Sequence, residues 1–211
     1  MKKIIHISTR HEELGNCNSD ELCKIISMIN PEVIFLESLN NTYSAYSQET
    51  FKNFGVYHNK LEIQALQKYS KIGTFNYVPV LKNDMLKAFD EKYAFVCRNV
   101  EFQKILDLYN LEVENGGFKF LNSENCIQLH ENMRKFENKI LNNYELSLNA
   151  DTAIDIYENE MLSNIYQYCK NNHFNDGIFI CGSAHRKSII EKTVNNSLNE
   201  KFEVRWETLE L

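Results

Sequence analysis

The segment IFICGSAHRKSII, residues 178–190, carries the pattern that decides the fold. An apolar run ends at Gly182, His185 follows three positions later, and a helical pattern starts immediately behind it. An apolar strand that turns directly into a helix is typical of proteins in which helices cover a parallel sheet. The segment therefore predicts a strand at 177–181 and a helix from about 185 to 196.

The start of the chain repeats this order. Residues 3–8 read as a strand, and Ser19 can cap a helix at 20–29 whose apolar side chains fall on one face. Pro31 ends that helix, and VIFLE at 33–37 is a second buried strand. This β-α-β order predicts that the sheet starts out parallel.

The rest of the chain fits the same fold class around a helical middle. The remaining predicted elements are a polar loop at 40–53, a helix at about 59–69, a strand at 75–80, mostly helical sequence at 84–170 that a break at 115–117 divides into two antiparallel stretches, and a last strand at 202–209. We expect one α/β domain over residues 1–211, with a mainly parallel central sheet, flanking helices and a helical insertion at about 84–170.

Composition limits the classes of function. The chain has 211 residues and a formal net charge of -6, which disfavours a protein that neutralises nucleic-acid phosphates. No apolar run is long enough for a signal peptide or a membrane span. The six cysteines contain no C-x-x-C pair, so we expect reduced thiols and a cytoplasmic location. The sequence leaves the oligomeric state open.

Three side chains suited to metal binding or acid–base chemistry follow predicted strands. His11 comes after the first strand, Glu37 ends the second, and His185 follows the strand at 177–181. The carboxyl ends of parallel strands meet at one edge of the sheet, so these side chains converge if the strands are neighbours. Two imidazoles and a carboxylate can bind a divalent ion and leave positions open for water and substrate. The alternative is structural, because a single histidine after a strand is more often a hydrogen-bonded or surface residue.

The sequence around His185 adds two expectations. The positive end of the helix dipole disfavours an imidazolium at a helix start, so we expect a neutral ring that can donate a lone pair. Gly182, three residues earlier, lets backbone or substrate approach closely because it has no Cβ.

Short motifs resemble those of a known family. STRH at 8–11, GSAH at 182–185 and VIFLES at 33–38 resemble the TIKI/TraB/PrgY group of the superfamily that includes ChaN-like and erythromycin-esterase-like proteins. That group has two G-x-x-H segments, and here the first has Ser8 in place of the glycine. LEIQALQKY at 61–69 looks like the acidic helix of the group. YENEMLSNI at 157–165 looks like the helix before its second G-x-x-H strand, with Tyr157 and Glu158 where many members have an Arg-Asp pair.

The resemblance implies a site of five residues, namely His11, Glu37 and His185 with Glu62 and Glu158 nearby. It also implies several chemistries: metal-dependent peptide cleavage, ester hydrolysis that relies on a histidine, and binding of haem or another ligand without turnover. The hydrolase hypothesis has a divalent metal on His11, Glu37 and His185, with Glu62 or Glu158 as the general base toward a small-molecule or peptide substrate. A second version has a histidine that activates water directly.

Alternatives and lesser candidates remain. A non-catalytic protein would use the same crevice to bind haem or a small molecule, or its helical insertion to bind a protein partner. His58 and Glu62 share a helix face and could act as a catalytic pair that contacts substrate, or form a plain surface contact. Arg186 could bind an anionic substrate group. Tyr43 and Tyr46 could cover the crevice as part of the polar loop.

Overall fold

The computed structural model describes residues 1–39, 60–81, 87–141, 144–194 and 196–211. Within these residues the chain forms a five-stranded sheet in which every pairing is parallel. The strands are β1 (Lys2–Thr9), β2 (Val33–Leu39), β3 (Asn76–Leu81), β4 (Asp176–Gly182) and β5 (Val204–Thr208). The predicted α/β fold class is therefore confirmed.

Eight α-helices are described around this sheet. They are α1 (Ser19–Ile29), α2 (Leu61–Tyr69), α3 (Lys87–Val96), α4 (Val100–Leu121), α5 (Glu124–Leu141), α6 (Tyr144–Asn171), α7 (Arg186–Val194) and α8 (Ser197–Phe202). Helices α3 to α6 follow β3 and make up the predicted helical insertion. None of the helices in the described ranges is long and apolar enough to cross a membrane.

The strand order is β3-β2-β4-β1-β5. Strand β4 lies between β1 and β2, so β1 and β2 are parallel but are not neighbours, as a simple β-α-β unit would have made them. In the β1–β4 register Thr9 lies opposite Gly182. The carboxyl ends of β1, β4 and β2 therefore stand side by side at one edge of the sheet.

Helices cover both faces of the sheet. On one face, side chains of α1, α2 and α4 pack on Ile7, Ile34 and Ile180. On the other face, α6 and α7 pack on Phe35 and Phe179. A parallel sheet that is covered on both sides needs apolar residues at nearly every strand position, which explains the continuous apolar runs in the sequence.

Three local predictions need correction. Asn18, rather than Ser19, caps α1, because its side chain accepts hydrogen bonds from the first-turn amides. The predicted break at 115–117 is a kink at Gly117, where φ is 52°, and α4 continues beyond it to Leu121, so the turn to α5 comes only at 122–123. The short helix α8 precedes β5 and was not predicted; Asn196 caps it.

The Gly117 kink also shapes the chain after β1. Asn16 donates its backbone N–H to Glu114 O at 2.9 Å and its side-chain amide to Asn115 O at 2.7 Å. A Cβ on Gly117 would lie 2.7 Å from Asn16 O, which no real side chain tolerates. The loop that carries His11 is thus hydrogen-bonded to helix α4 of the insertion at one end of the sheet.

Candidate functional site

His11, Glu37 and His185 lie at the same edge of the sheet. Thr9 and Gly182 are partners in the β1–β4 register, so His11 and His185 follow neighbouring strands by a few residues. Glu37 lies in β2, which pairs with the other side of β4. We call these side chains and Glu62 and Glu158 the edge cluster.

His185 lies between two carboxylates. It ends a short 3-10 turn, Ser183–His185, that connects β4 to α7. Its Nδ1 is 2.9 Å from Glu158 Oε1, and its Nε2 is 3.6 Å from Glu37 Oε1. The ring also stacks on Tyr157 with the centroids 5.6 Å apart. Only 7% of the His185 surface is exposed.

Glu37 is buried and receives hydrogen bonds on both oxygens. The Tyr157 hydroxyl donates to Oε1 at 2.9 Å, and the Gly182 N–H donates to Oε2 at 2.7 Å. Burial alone would raise the pKa of this carboxyl. The charge and hydrogen bond of His185, the charge of His11 and the Gly182 amide outweigh burial and lower the pKa of Glu37 to about 2.

Glu158 is buried on α6 and has its own donors. Lys192 Nζ lies 2.8 Å from Oε2, and the Ser188 hydroxyl donates to the same oxygen. Burial would raise the pKa of Glu158, but the hydrogen bonds from His185, Lys192 and Ser188 lower it. Glu158 is therefore an ionised partner of His185 at neutral pH.

These contacts make His185 a cation. Burial would lower the pKa of the ring, but the charges and hydrogen bonds of Glu37 and Glu158 raise it to about 9. The expectation of a neutral ring is therefore wrong in this structure, because two adjacent carboxylates outweigh the helix dipole.

No described residue makes the close approach expected at Gly182, and the expected approach of substrate stays a prediction. A Cβ at this position would lie 3.5 Å from Glu37 Oε2, which is an ordinary van der Waals contact. What Gly182 supplies is its backbone N–H.

His11 forms a second pair with Glu62. Its Nδ1 lies 3.3 Å from Glu62 Oε1, which also accepts a hydrogen bond from the Thr9 hydroxyl at 2.6 Å. The Leu61 N–H donates to the His11 carbonyl at 2.9 Å and fixes the start of α2 beside the loop. The hydrogen bond to Glu62 raises the pKa of His11 more than burial lowers it, and the charges of Glu62 and Glu37 raise it further.

The two members of this pair differ in exposure. The His11 side chain is 47% exposed, whereas that of Glu62 is 3% exposed. Glu62 Oε2 is buried and has no hydrogen-bond partner among the described residues. A buried carboxylate oxygen without a donor costs stability, and native proteins keep such groups mainly where they serve a function.

The predicted metal ligands do not come together as one group. Glu37 and His185 are adjacent, but His11 pairs with Glu62, and both Glu37 oxygens already accept hydrogen bonds. In the part of the chain that is described, no three His, Cys, Asp or Glu side chains form a group that could bind a metal ion. These residues do not fit the three-ligand centre, and the divalent metal stays a prediction.

The lesser candidates have different outcomes. Arg186 is 5% exposed, and its guanidinium donates to Ser8 Oγ at 3.3 Å and Asn122 Oδ1 at 3.0 Å. Its Nε is buried and has no hydrogen-bond partner among the described residues. The role of Arg186 in binding an anionic substrate group stays a prediction. Tyr43, Tyr46 and His58 lie outside the described residues, and their predicted roles stay predictions.

Sequence reasoning missed several members of the site, among them Tyr157, Thr9, Lys192 and Ser188. In the sequence, Tyr157 is notable only because many members of the resembled group have an arginine there. In the structure its hydroxyl donates to Glu37 and its ring stacks on His185. Thr9 orients Glu62, and Lys192 neutralises Glu158. The position of Thr9 at the end of an apolar strand was an available signal, whereas nothing in the sequence pairs Lys192 with a helix 34 residues earlier.

Comparison with known proteins adds no relative: no family model, curated protein or solved structure matches the chain. The resemblance to the TIKI/TraB/PrgY group therefore stays a prediction based on its short motifs.

Proposed function

We propose that the protein is a hydrolase of ester or peptide bonds in which His11 activates water and Glu62 orients His11. The supporting observation is the contrast within this pair: a half-exposed imidazole bonded to a buried carboxylate whose second oxygen has no partner among the described residues. A nucleophile-activating base that a third group orients is a recurring arrangement in hydrolases.

The contacts assign a role to each nitrogen of His11. His11 Nδ1 lies 3.3 Å from Glu62 Oε1, and in the proposed tautomer it carries the hydrogen that faces this oxygen. Nε2 then carries the lone pair and takes a proton from water. The water oxygen attacks the carbonyl carbon of the substrate. The proton on Nε2 then passes to the leaving alcohol or amine, and the Glu62 side chain next to Nδ1 stabilises the intermediate imidazolium. Thr9 keeps Glu62 in position through its hydroxyl.

The His185 network has a positioning role in this proposal. Both ring nitrogens of His185 face carboxylates and the ring is buried, so neither nitrogen is available to substrate. Its charge keeps Glu37 ionised, and the charge of Glu37 in turn raises the pKa of His11. We expect substitutions here to change the pH dependence of turnover and the stability of the fold.

A panel of small ester and peptide substrates tests the proposal. We expect hydrolysis that persists in chelator and that falls by roughly 10²- to 10⁴-fold in His11→Asn, the usual contribution of a general base. His173→Asn is the matched control, because His173 is exposed and lies just before β4, at the far end of the strand from the edge cluster. No hydrolysis of any substrate, or an unchanged rate in His11→Asn, would refute the assignment.

Two other predictions need their own measurements. If chelator abolishes turnover and a divalent ion restores it, the metal-dependent version replaces the one proposed here. If no substrate is hydrolysed but a Soret band appears on haem titration and is lost in His11→Ala, the protein is a ligand-binding member of this fold. We also propose a cytoplasmic location, since all six cysteines are free.

A further inference from the structure

Strand β5 is an edge of the described sheet. Its one neighbour there is β1, with Val204 opposite Lys2 and Thr208 opposite His6. An edge strand exposes unpaired backbone groups that another strand can bind, and proteins usually protect such an edge.

The hydrogen-bond register shows which groups point away from β1. The Lys2 N–H donates to Glu203 O at 2.6 Å, and the Leu209 N–H donates to His6 O at 3.0 Å. In a parallel ladder alternate residues bond the same neighbour, so positions 203, 205, 207 and 209 face β1. The N–H and C=O groups of Val204, Trp206 and Thr208 therefore point toward the open edge.

A groove of mixed polarity borders this edge. A pocket of about 760 Å³ borders β5 and is also lined by Ile29 at the end of α1 and by Ile190 and Val194 on α7. Val194 is 65% exposed. Helices α1 and α7 lie on opposite faces of the sheet, so residues from both layers of helices border the groove at the edge strand.

The charges of β5 favour one occupant. Arg205 and Glu207 flank Trp206 and lie on the same face of the strand, with their side chains 2.8 Å apart. If a second β5 pairs antiparallel with the first and Trp206 lies opposite Trp206, each Arg205 lies opposite a Glu207 of the other copy. These are non-hydrogen-bonded positions, where cross-strand side chains come closest.

The backbone favours the same register. With Trp206 opposite its own copy, Val204 lies opposite Thr208, and the outward groups of all these residues meet as hydrogen-bonded pairs. A strand protected against pairing would place like charges opposite each other, whereas this register places opposite charges together twice. We propose that β5 pairs antiparallel with β5 of a second copy of this chain and that the protein is a two-fold symmetric dimer with one continuous sheet.

Mass measurement by light scattering tests the dimer. The chain mass is 24.8 kDa, and we expect the protein to elute at twice this mass and to dissociate on dilution. Arg205→Glu and Glu207→Arg each place like charges opposite and should give folded monomers. The double variant Arg205→Glu/Glu207→Arg restores opposite charges and should restore the dimer. A wild-type protein that is monomeric at all concentrations would overturn the proposal.

A proline variant tests the use of the open edge. Thr208→Pro removes an outward N–H but none of the β1–β5 bonds, so it should give a folded monomer, and Thr208→Val should stay dimeric. The melting temperature of each variant checks that the fold is retained. A dimer that survives both Thr208→Pro and Arg205→Glu would overturn β5 pairing.

Cross-linking tests the register itself. Cα atoms in non-hydrogen-bonded antiparallel pairs lie about 4.5 Å apart, within the disulfide range of about 4.4–6.8 Å. A mixture of Arg205→Cys protein with Glu207→Cys protein should therefore form a disulfide between these two positions, found by mass spectrometry of the linked peptides. Absence of this link from a mixture that is dimeric would refute the register.

Discussion

The contacts of His185 with Glu37 and Glu158 should make the free energy of unfolding fall as the pH rises into the alkaline range. The pKa of His185 is about 9 in the folded chain, whereas an unfolded histidine has a pKa of about 6.5. A raised pKa contributes stability that is fully present below pH 6.5 and is lost as the pH rises through 9. The difference, 9 minus 6.5, is about 2.5 pKa units and corresponds to about 3 kcal/mol, which His185 shares with Glu37 and Glu158.

Urea unfolding at a series of pH values measures this loss. In chelator-containing buffer, the free energy of unfolding of the wild type should fall by about 3 kcal/mol between pH 6.5 and pH 10, beyond any fall in His185→Gln. The variant should also be less stable at pH 7, by about 3–5 kcal/mol, because Glu158 and Glu37 lose their buried partner. His173→Gln should follow the wild type.

A parallel loss of stability in the wild type and His185→Gln above pH 6.5 would contradict a charged His185. Titration of the His185 ring at or below pH 6.5, followed by NMR, would contradict it as well, because the ring would then be neutral between its two carboxylates.

Three further predictions concern groups around the edge cluster. Tyr157→Phe keeps the ring stack on His185 but removes the hydroxyl that donates to Glu37. The free energy of unfolding, measured by denaturation, should fall by about 1.5–3 kcal/mol, and an unchanged value would show that this hydrogen bond contributes nothing. Burial lowers the pKa of His6 to about 3, with help from the charges of Arg186 and His185, so its contribution is present above pH 6.5 and is lost as the pH falls toward 3. Over that pH range the free energy of unfolding of the wild type should fall by up to about 1.4 kcal/mol per pH unit more than that of His6→Leu. Equal pH slopes of the two proteins would contradict a buried neutral ring. Asn122→Leu removes the side-chain amide that hydrogen-bonds the β1 backbone at Ser8 and accepts from Arg186. It should lower the free energy of unfolding by about 2–4 kcal/mol in the same assay, and a loss under about 1 kcal/mol would contradict this role.

The sequence predicts the sheet well because its signals are local. Continuous apolar runs such as IFIC require burial on both faces, and that alone predicts a parallel sheet covered by helices. The placement of His11, Glu37 and His185 at one edge follows from the same rule, since each comes at the carboxyl end of a strand.

The partners of these residues depend on contacts that the sequence does not encode locally. The insertion of β4 between β1 and β2 depends on a return of the chain from the far end of the helical insertion, and no local pattern specifies it. The charge of His185 depends on Glu158, which lies on a helix of the insertion, so a rule about the helix dipole alone gave the wrong ionisation state. The hydroxyl of Tyr157 donates a hydrogen bond to Glu37, a role that residue type alone did not suggest.

The pH dependence of kcat/KM in the presence of chelator tests most directly that His11 is a base oriented by Glu62. Turnover should persist and should rise with pH along a limb whose pKa lies above 6.5, because Glu62 raises the pKa of His11. In Glu62→Gln this limb should move toward 6.5 while the maximum rate falls. Loss of all turnover in chelator, or a limb that Glu62→Gln leaves in place, would contradict the assignment of His11 and Glu62.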